Sequence, residues 1–359
     1  MGAGVYALVR DSFDKPAATS TPERPRFVSA STVEGRRYDA DQTRWTATDS
    51  PTLLAPTRPG TTVTRHVGVV VNPERDDLAE EFLAELEGRA TVTVERLDDA
   101  SQLPDAVSRL VAAGVHCVAA VGGDGTQRAA ATVLADTPVG LVVVPAGTVN
   151  LLGQVLGITT VQDAVTAAFD GEEVSIDLGE AEEETFVLNA SSGWDAATIA
   201  GVDDGLKRFG RAGFAVAGLR EWIRNRALPV RVTVDGHTWH DGHAVAVLVL
   251  NVGQRASTDF DVAPEASVED GRLDVVVLPR HSVVGLMRSM AAIVRGGDAT
   301  HGDARATQGA EITVQWGTPV AHQVDGDATG LVASVTYRAR PGALRVRRPP
   351  RRSAVRDPA

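Results

Sequence analysis

From residue 66 onward, short apolar runs alternate with stretches in which apolar residues recur every three or four positions. Residues 67–71 are almost all valine, a run that predicts a strand buried on both faces, and 77–86 carry the period of an amphipathic helix. Further strands are predicted over 91–94, 115–121 and 139–144, with a helix over 106–113. This alternation predicts a doubly wound, mostly parallel, Rossmann-like sheet. Past Phe169 the pattern changes to short β-branched runs at 174–178, 185–189, 230–234, 243–251, 273–278, 311–315 and 332–337. Turns such as Asp235-Gly236 and Asp270-Gly271 bound them, and helical stretches interrupt at 210–226 and 282–295. That half predicts a mainly antiparallel β-sandwich. The fold class expected is therefore α/β, with an N-terminal nucleotide-type domain and a C-terminal β-rich domain. Residues 1–63 show neither period and predict a disordered arm. The expected domains are 64–172 and 173–348, with the option that the last segment of the second returns to the first, followed by a basic tail at 349–359.

The run at 115–121 ends in Gly122, Gly123, Asp124, Gly125 and Thr126. Glycines leave no Cβ between backbone and ligand, so a strand that ends in such a loop and opens into a helix can wrap N–H groups around a phosphate. Asp124 is the one charge in that loop, and it suits a site that holds Mg²⁺ or orients reacting groups. The strand at 139–144 leads into a second small polar loop, Pro145, Ala146, Gly147, Thr148, Val149 and Asn150. Successive strands of a parallel sheet bring such loops together at one edge, where ligands bind.

Composition narrows the possibilities. The single Cys117 lies in an apolar strand, which excludes a disulfide framework and reads as a core residue. No basic leader precedes the first apolar residues, so export is not expected. The longest uncharged stretch, 137–162, is broken by Pro138, Pro145, Gly147 and Asn150, which excludes a transmembrane helix. The formal charge is −12, unevenly placed. From residue 338 onward eight arginines stand against Asp357, a net +7 that leaves −19 elsewhere; such a run can dock on anionic lipid head groups, but the prolines among them and the lack of an apolar anchor favour a solvated end. The acidic residues Glu172, Glu173, Asp177, Glu180, Glu182, Glu183 and Glu184 read as an exposed boundary between the domains. Lys207, near Arg208 and Arg211, is a candidate contact for phosphate or a lipid head group, or else a solvated helix end.

The ordered motifs resemble the diacylglycerol kinase catalytic family, which includes bacterial lipid kinases and sphingosine kinases. They are Asn72-Pro73, GGDGT at 122–126, PAGTVNLLGQVLGI at 145–158, NASSGWDAA at 189–197, APEASVEDGRLDVVVL at 263–278 and VDGD at 324–327. The resemblance implies a two-domain lipid kinase that uses ATP and Mg²⁺. Gly122, Gly123, Asp124, Gly125, Thr126, Gly147, Thr148 and Asn150 carry over as nucleotide contacts, with Asn72 and Thr93 beside them, and Asp124 doubles as a catalytic residue. The acceptor-activating acid falls on Asp327, one methylene shorter than the family's usual Glu. A structural Mg²⁺ falls on Asp270, with main-chain oxygens at Ser267 and Arg272. The sequence departs from the family at Glu74 to Asp77, where a Ser-Gly pair is common. It departs again at Leu151 and Gln154, and at Arg128 and Ala129, which replace Asn-Glu.

The activity implied is transfer of the γ-phosphoryl group of ATP to a lipid hydroxyl, with diacylglycerol giving phosphatidic acid as first choice. An NAD kinase, which shares the GGDGT loop, and a non-catalytic nucleotide or lipid sensor remain as alternatives. The partners implied are a lipid substrate at the inner face of the membrane, approached peripherally from the cytoplasm, and no nucleic acid. An exposed antiparallel edge leaves pairing of two chains open.

Overall fold

The computed structural model describes residues 65–201, 217–218, 220–221, 226–255, 257–261, 263, 266–279 and 305–350. The arm at 1–63, Lys207, nearly all of the stretch at 210–226, the whole stretch at 282–295 and the tail beyond 350 lie outside the described residues.

The valine run forms β1 (Arg65–Val71), then come α1 (Asp76–Leu86), β2 (Ala90–Arg96), α2 (Leu103–Ala112), β3 (Cys117–Gly122), α3 (Asp124–Leu134) and β4 (Gly140–Pro145). Asp76 and Asp77 in the first turn of α1 complement the helix dipole, and Pro104 opens α2, where its missing N–H costs nothing. Beyond β4 come α4 (Leu151–Val155) and α5 (Val161–Asp170), the latter started by a capping box between Thr160 and Asp163. β1 pairs in parallel with β2 and β3, and β3 with β4. The chain thus winds outward in both directions from the gap between β1 and β3. β1, β3 and β4 are buried on both faces, so their sequences read as continuous apolar runs, whereas β2 at the edge is only partly buried.

The second half is built from β5 (Glu172–Ala181), β6 (Glu184–Phe186), β7 (Asn189–Gly193), α6 (Trp194–Ala200), β8 (Leu228–Val234), β9 (His237–Ala244) and β10 (Ala246–Leu250). It continues through β11 (Gln254–Arg255), β12 (Ser257–Asp261), β13 (Leu273–Leu278), β14 (Arg305–Gly309), β15 (Glu311–Val324) and β16 (Asp327–Arg348). All strands but β11 and β12 join one 14-stranded sheet ordered β14-β13-β10-β7-β15-β16-β4-β3-β1-β2, with β5, β6, β8 and β9 branching from it. One apolar core lies against the parallel strands and helices, and a second, containing Phe186, Trp316 and Tyr337, fills the antiparallel half. The expected parallel and antiparallel halves are both present.

Several strand expectations change. The run at 185–189 is not one strand: β6 ends at Phe186 and β7 starts at Asn189, because the N–H groups of Val187, Leu188 and Asn189 turn to the carboxylate of Asp325. The run at 243–251 divides at Val245, where the chain leaves β8 as partner and takes up β7 and β13. β15 and β16 extend far beyond 311–315 and 332–337. Register shifts lie between Gln315 and Val320 and between Arg340 and Leu344, and these interrupt the period-two pattern. Pro341 and Gly342 sit in the second shift, Gly342 with φ +59°, and its N–H donates to buried Asp177 at 2.7 Å.

The arginine-rich end is also not a solvated tail up to residue 348. β16 pairs with β5, setting the basic run against the acidic one. Arg348 bonds Glu172 at 2.7 Å and Glu269 at 2.9 Å, Arg345 bonds Glu173 at 3.3 Å, and Arg338 bonds Glu311 at 3.0 Å. Arg347 donates to the carbonyls of Ala167 and Gly171 and Arg65 to that of Ala168, which satisfies the last carbonyls around α5. Val346 pairs with Leu141, so β16 runs beside β4 of the parallel sheet.

Asp177 accepts from Gly271 at 2.6 Å as well as from Gly342, holding two segments with one buried carboxylate. Asp177→Asn turns an acceptor into a donor facing an N–H, and it is expected to lower stability by about 1–3 kcal/mol in urea unfolding. A loss below about 0.5 kcal/mol, as for an ordinary surface change, contradicts this assignment. Burial pushes the Cys117 thiol up to about 11. A thiol reagent at pH 8 is expected to label Cys117 only after unfolding, and prompt labelling of the native protein would refute its core placement.

Candidate active site

The topology brings the ends of four parallel strands to one edge, on either side of the gap between β1 and β3. A cavity of about 310 Å³ opens there, lined among others by Asn72 after β1, Leu103 after β2, Gly123, Gly125 and Thr126 after β3, and Gly147 after β4. The volume falls at the lower end of small-molecule sites, roughly 300–1,000 Å³. A reversal of strand order is where open α/β sheets bind ligands.

The two glycine loops touch. A Cβ on Gly147 would lie 2.6 Å from the Cα of Gly123 and 2.7 Å from Oδ1 of Asn150, so no side chain fits. A Cβ on Gly122 would meet Thr126 Oγ1 at 2.3 Å. Gly125 differs, because a Cβ there meets no protein atom within 4 Å. Packing does not demand a glycine at 125, whereas close approach of a ligand to the backbone would. α3 begins at this loop and presents its N-terminal N–H groups and positive dipole end to the cavity.

The loops are held by their own polar groups. Asn150, with φ +54°, accepts from the N–H of Gly147 at 2.7 Å and donates to its carbonyl at 2.8 Å. Asn72 Nδ2 donates to Thr126 Oγ1 at 3.2 Å. The Asp124 carboxylate accepts from the N–H of Leu152 at 3.3 Å, tying the first loop to the start of α4. Burial raises the pKa of Asp124, and the N–H groups of Leu152, Leu151 and Asn150 oppose that rise. Thr148 is exposed in the second loop.

Thr93 does not join this group. It lies at the middle of β2, opposite Gly68, rather than at its end, and its hydroxyl bonds His66 Nε2 at 2.9 Å toward the other edge of the sheet. The strand predicted over 91–94 puts Thr93 next to its end, whereas β2 runs two residues past the last apolar position, through Glu95 and Arg96.

Asp325 and Gly326 form a two-residue turn between β15 and β16, with φ +49° and +92° and Val324 paired to Asp327. The Asp325 carboxylate accepts from the N–H groups of Val187, Leu188 and Asn189 at 2.8 to 2.9 Å. Burial pushes its pKa up to about 6 against those three bonds and the Arg128 charge. Gln323, fully buried, accepts from the N–H of Gly326 at 2.7 Å and donates to Asn189 Oδ1 and Ser191 Oγ. The turn is thus fixed in place, whereas the Asp327 side chain next to it is 73% exposed. Its carboxylate accepts from Arg128 of α3 at 3.0 Å. Gln323 did not stand out in the sequence, and Arg128 stood out only as a departure from the family pattern, since the contact each makes is supplied by the fold.

In the loop before β13, Asp270 is exposed, and its carboxylate accepts from the N–H of Arg272 at 3.0 Å. Ser267 Oγ accepts from Glu269 N–H, and Arg272 reaches Gln308. Among the described residues no three His, Cys, Asp or Glu side chains gather in a metal-binding group. A cation at this loop would therefore rest on Asp270 and main-chain oxygens, a donor set that suits a hard cation such as Mg²⁺. No helix among the described residues is long and apolar enough to cross a membrane.

Comparison with known proteins gives this geometry its family. Residues 66–181 match the diacylglycerol kinase catalytic domain, and 189–348 match the YegS C-terminal NAD kinase beta sandwich-like domain. A probable lipid kinase YegS-like from Pseudomonas putida is 32% identical over 247 residues, spanning 68% of this chain and 80% of that protein. Another from Pseudomonas aeruginosa PAO1 is 30% identical over 256 residues, spanning 70% and 83%. A solved diacylglycerol kinase from Bacillus anthracis shares the fold, with a TM-score of 0.67 at 18% identity over 81% of this chain and 99% of that one. The loops, the turn and both halves of the sheet thus have one context: the chain belongs to the lipid kinase family that joins a diacylglycerol kinase catalytic domain to a YegS-type C-terminal β-sandwich.

Proposed function

We propose that the protein transfers the γ-phosphoryl group of ATP, with Mg²⁺, to the hydroxyl of a lipid, diacylglycerol being the first acceptor and phosphatidic acid the product. The observation that carries this reading is the contact of Gly123 with Gly147 at the ends of adjacent parallel strands, beside a cavity that a side chain at Gly125 would enter. Main-chain N–H groups there bind the phosphates, and the N-terminal end of α3 faces the negative charge. Asp124 holds the second loop against the first. Asp327, exposed and ionisable, accepts the proton of the acceptor hydroxyl. Mg²⁺ bound with the nucleotide supplies neutralisation of phosphate charge, and a second ion would sit on Asp270 with the carbonyls of Ser267 and Arg272. The protein works from the cytoplasmic side at the membrane surface, where its acceptor resides. Among the described residues the main path of the sheet ends at β2 and β14 and its branches at β6 and β9, and a second copy would pair through an edge of this kind.

The direct test is transfer of labelled γ-phosphate from ATP-Mg²⁺ to diacylglycerol and other hydroxylated lipids in mixed micelles, with NAD as a further acceptor. Labelled phosphatidic acid is expected. Asp327→Ala is expected to lower kcat at least about 100-fold, the range of a lost general base, and Asp327→Glu to restore most of it. Label on NAD alone would replace the lipid acceptor, and ATP binding without any product would favour a sensor. Gly147→Ala forces the loops apart and is expected to weaken ATP binding at least about tenfold, roughly 1.4 kcal/mol, in calorimetric titration. Unchanged affinity would move the nucleotide away from this edge.

A further inference from the structure

Two departures from the family pattern, Arg128 in α3 and Asp327 after the turn, lie far apart in sequence and meet in the fold. One guanidinium nitrogen of Arg128 donates to Asp327 Oδ2 at 3.0 Å and to the carbonyl of Val324 at 2.9 Å. The other lies 3.8 Å from a carboxylate oxygen of Glu184. Arg128 is thus fixed to both strands of the hairpin that carries Asp327, and it stands two residues after Thr126 of the phosphate loop. The cavity is lined from α3 by Gly125, Thr126 and Ala129, and the Arg128 side chain is not part of its lining.

We propose that Arg128 is a positioning residue that ties Asp327 to the phosphate-loop helix, so that nucleotide loop and acceptor base keep one geometry. The inference rests on Asp327 being the base of the proposed reaction. An exposed ion pair contributes little to stability, so its value here is geometric. Asp327 is short and largely exposed, and without a partner its carboxylate would sample several rotamers. A planar guanidinium that holds a main-chain carbonyl at the same time selects one of them. Its charge also offsets the carboxylate next to a site meant for phosphates.

The test has two arms. In the first, hydrogen–deuterium exchange of ligand-free wild type, Arg128→Met and Arg128→Lys is monitored by mass spectrometry over the peptide spanning 324–330. Arg128→Met is expected to speed exchange there at least tenfold while peptides of β1 and β3 keep wild-type rates. Unchanged exchange at 324–330 overturns the proposal whatever the activity proves to be, and faster exchange throughout the chain assigns Arg128 to stability instead. In the second arm, kcat and the ATP dissociation constant are measured for wild type, Arg128→Met, Asp327→Asn and the double variant. Arg128→Met is expected to lower kcat at least tenfold with ATP affinity within threefold. It should have under twofold effect in the Asp327→Asn background, and Arg128→Lys should recover part of the loss. Losses that multiply, or a tenfold weaker ATP affinity with kcat intact, would make Arg128 a nucleotide contact and overturn the inference. A wild type that phosphorylates no acceptor defeats the kinase reading, and the exchange arm still decides the tie.

Discussion

The site depends on a close approach that only glycine permits. Gly147 packs its α-carbon against that of Gly123, with no room for a Cβ on Gly147. This contact joins the loop after β3 to the loop after β4. Thr126 packs over Gly122, and Asn150 closes the second loop on itself. Together these contacts set a wall of main-chain N–H groups at the start of α3, facing a cavity whose remaining sides come from the ends of β1 and β2. Asp124 belongs to this frame: it is spent on the N–H groups that open α4, so its charge binds one loop to the other.

A second constraint brings the turn between β15 and β16 to that loop. β16 does this by pairing with β15, β5 and β4 along its 22 residues. Its first residue is Asp327, the proposed acceptor acid, and its last ones lie beside the strand that leads into the second glycine loop. The acidic and basic runs of the sequence serve this strand. Each exposed ion pair is worth little alone, about 0.2–1 kcal/mol, but opposite charges in register favour one pairing of β5 with β16 over its slipped alternatives. Asp177 fixes the remaining freedom by bonding both Gly342 in the bulge and Gly271 in the loop before β13.

Much of this was legible in the sequence, because β1, β3 and β4 are buried on both faces and their apolar runs have no competing reading. The glycine loops were legible for a related reason: small residues at strand ends have few other uses. What failed had identifiable causes. The break at Val187 and Leu188 comes from a carboxylate more than 130 residues away, which no local pattern carries. Thr93 was placed at a strand end because Glu95 and Arg96 hide the continuation of β2. The arginines of β16 looked like a tail because Pro341 and Gly342 mimic a chain end, whereas they sit in a bulge within a strand. Gln323 matters only through partners that the fold supplies, so no motif marks it, and the motif beside Arg128 shows that the residue is unusual without showing its partner.

The measurement that tests the central claim most directly is residue-resolved amide protection on adding ATP-Mg²⁺, with glycine amides observed by isotope labelling. The account predicts slower exchange and shifted resonances at Gly123, Gly125, Thr126 and Gly147, with the amides of 91–95 in β2 unchanged. Protection centred elsewhere, with these four amides untouched, would show that the nucleotide does not bind across the two glycine loops and would contradict the account.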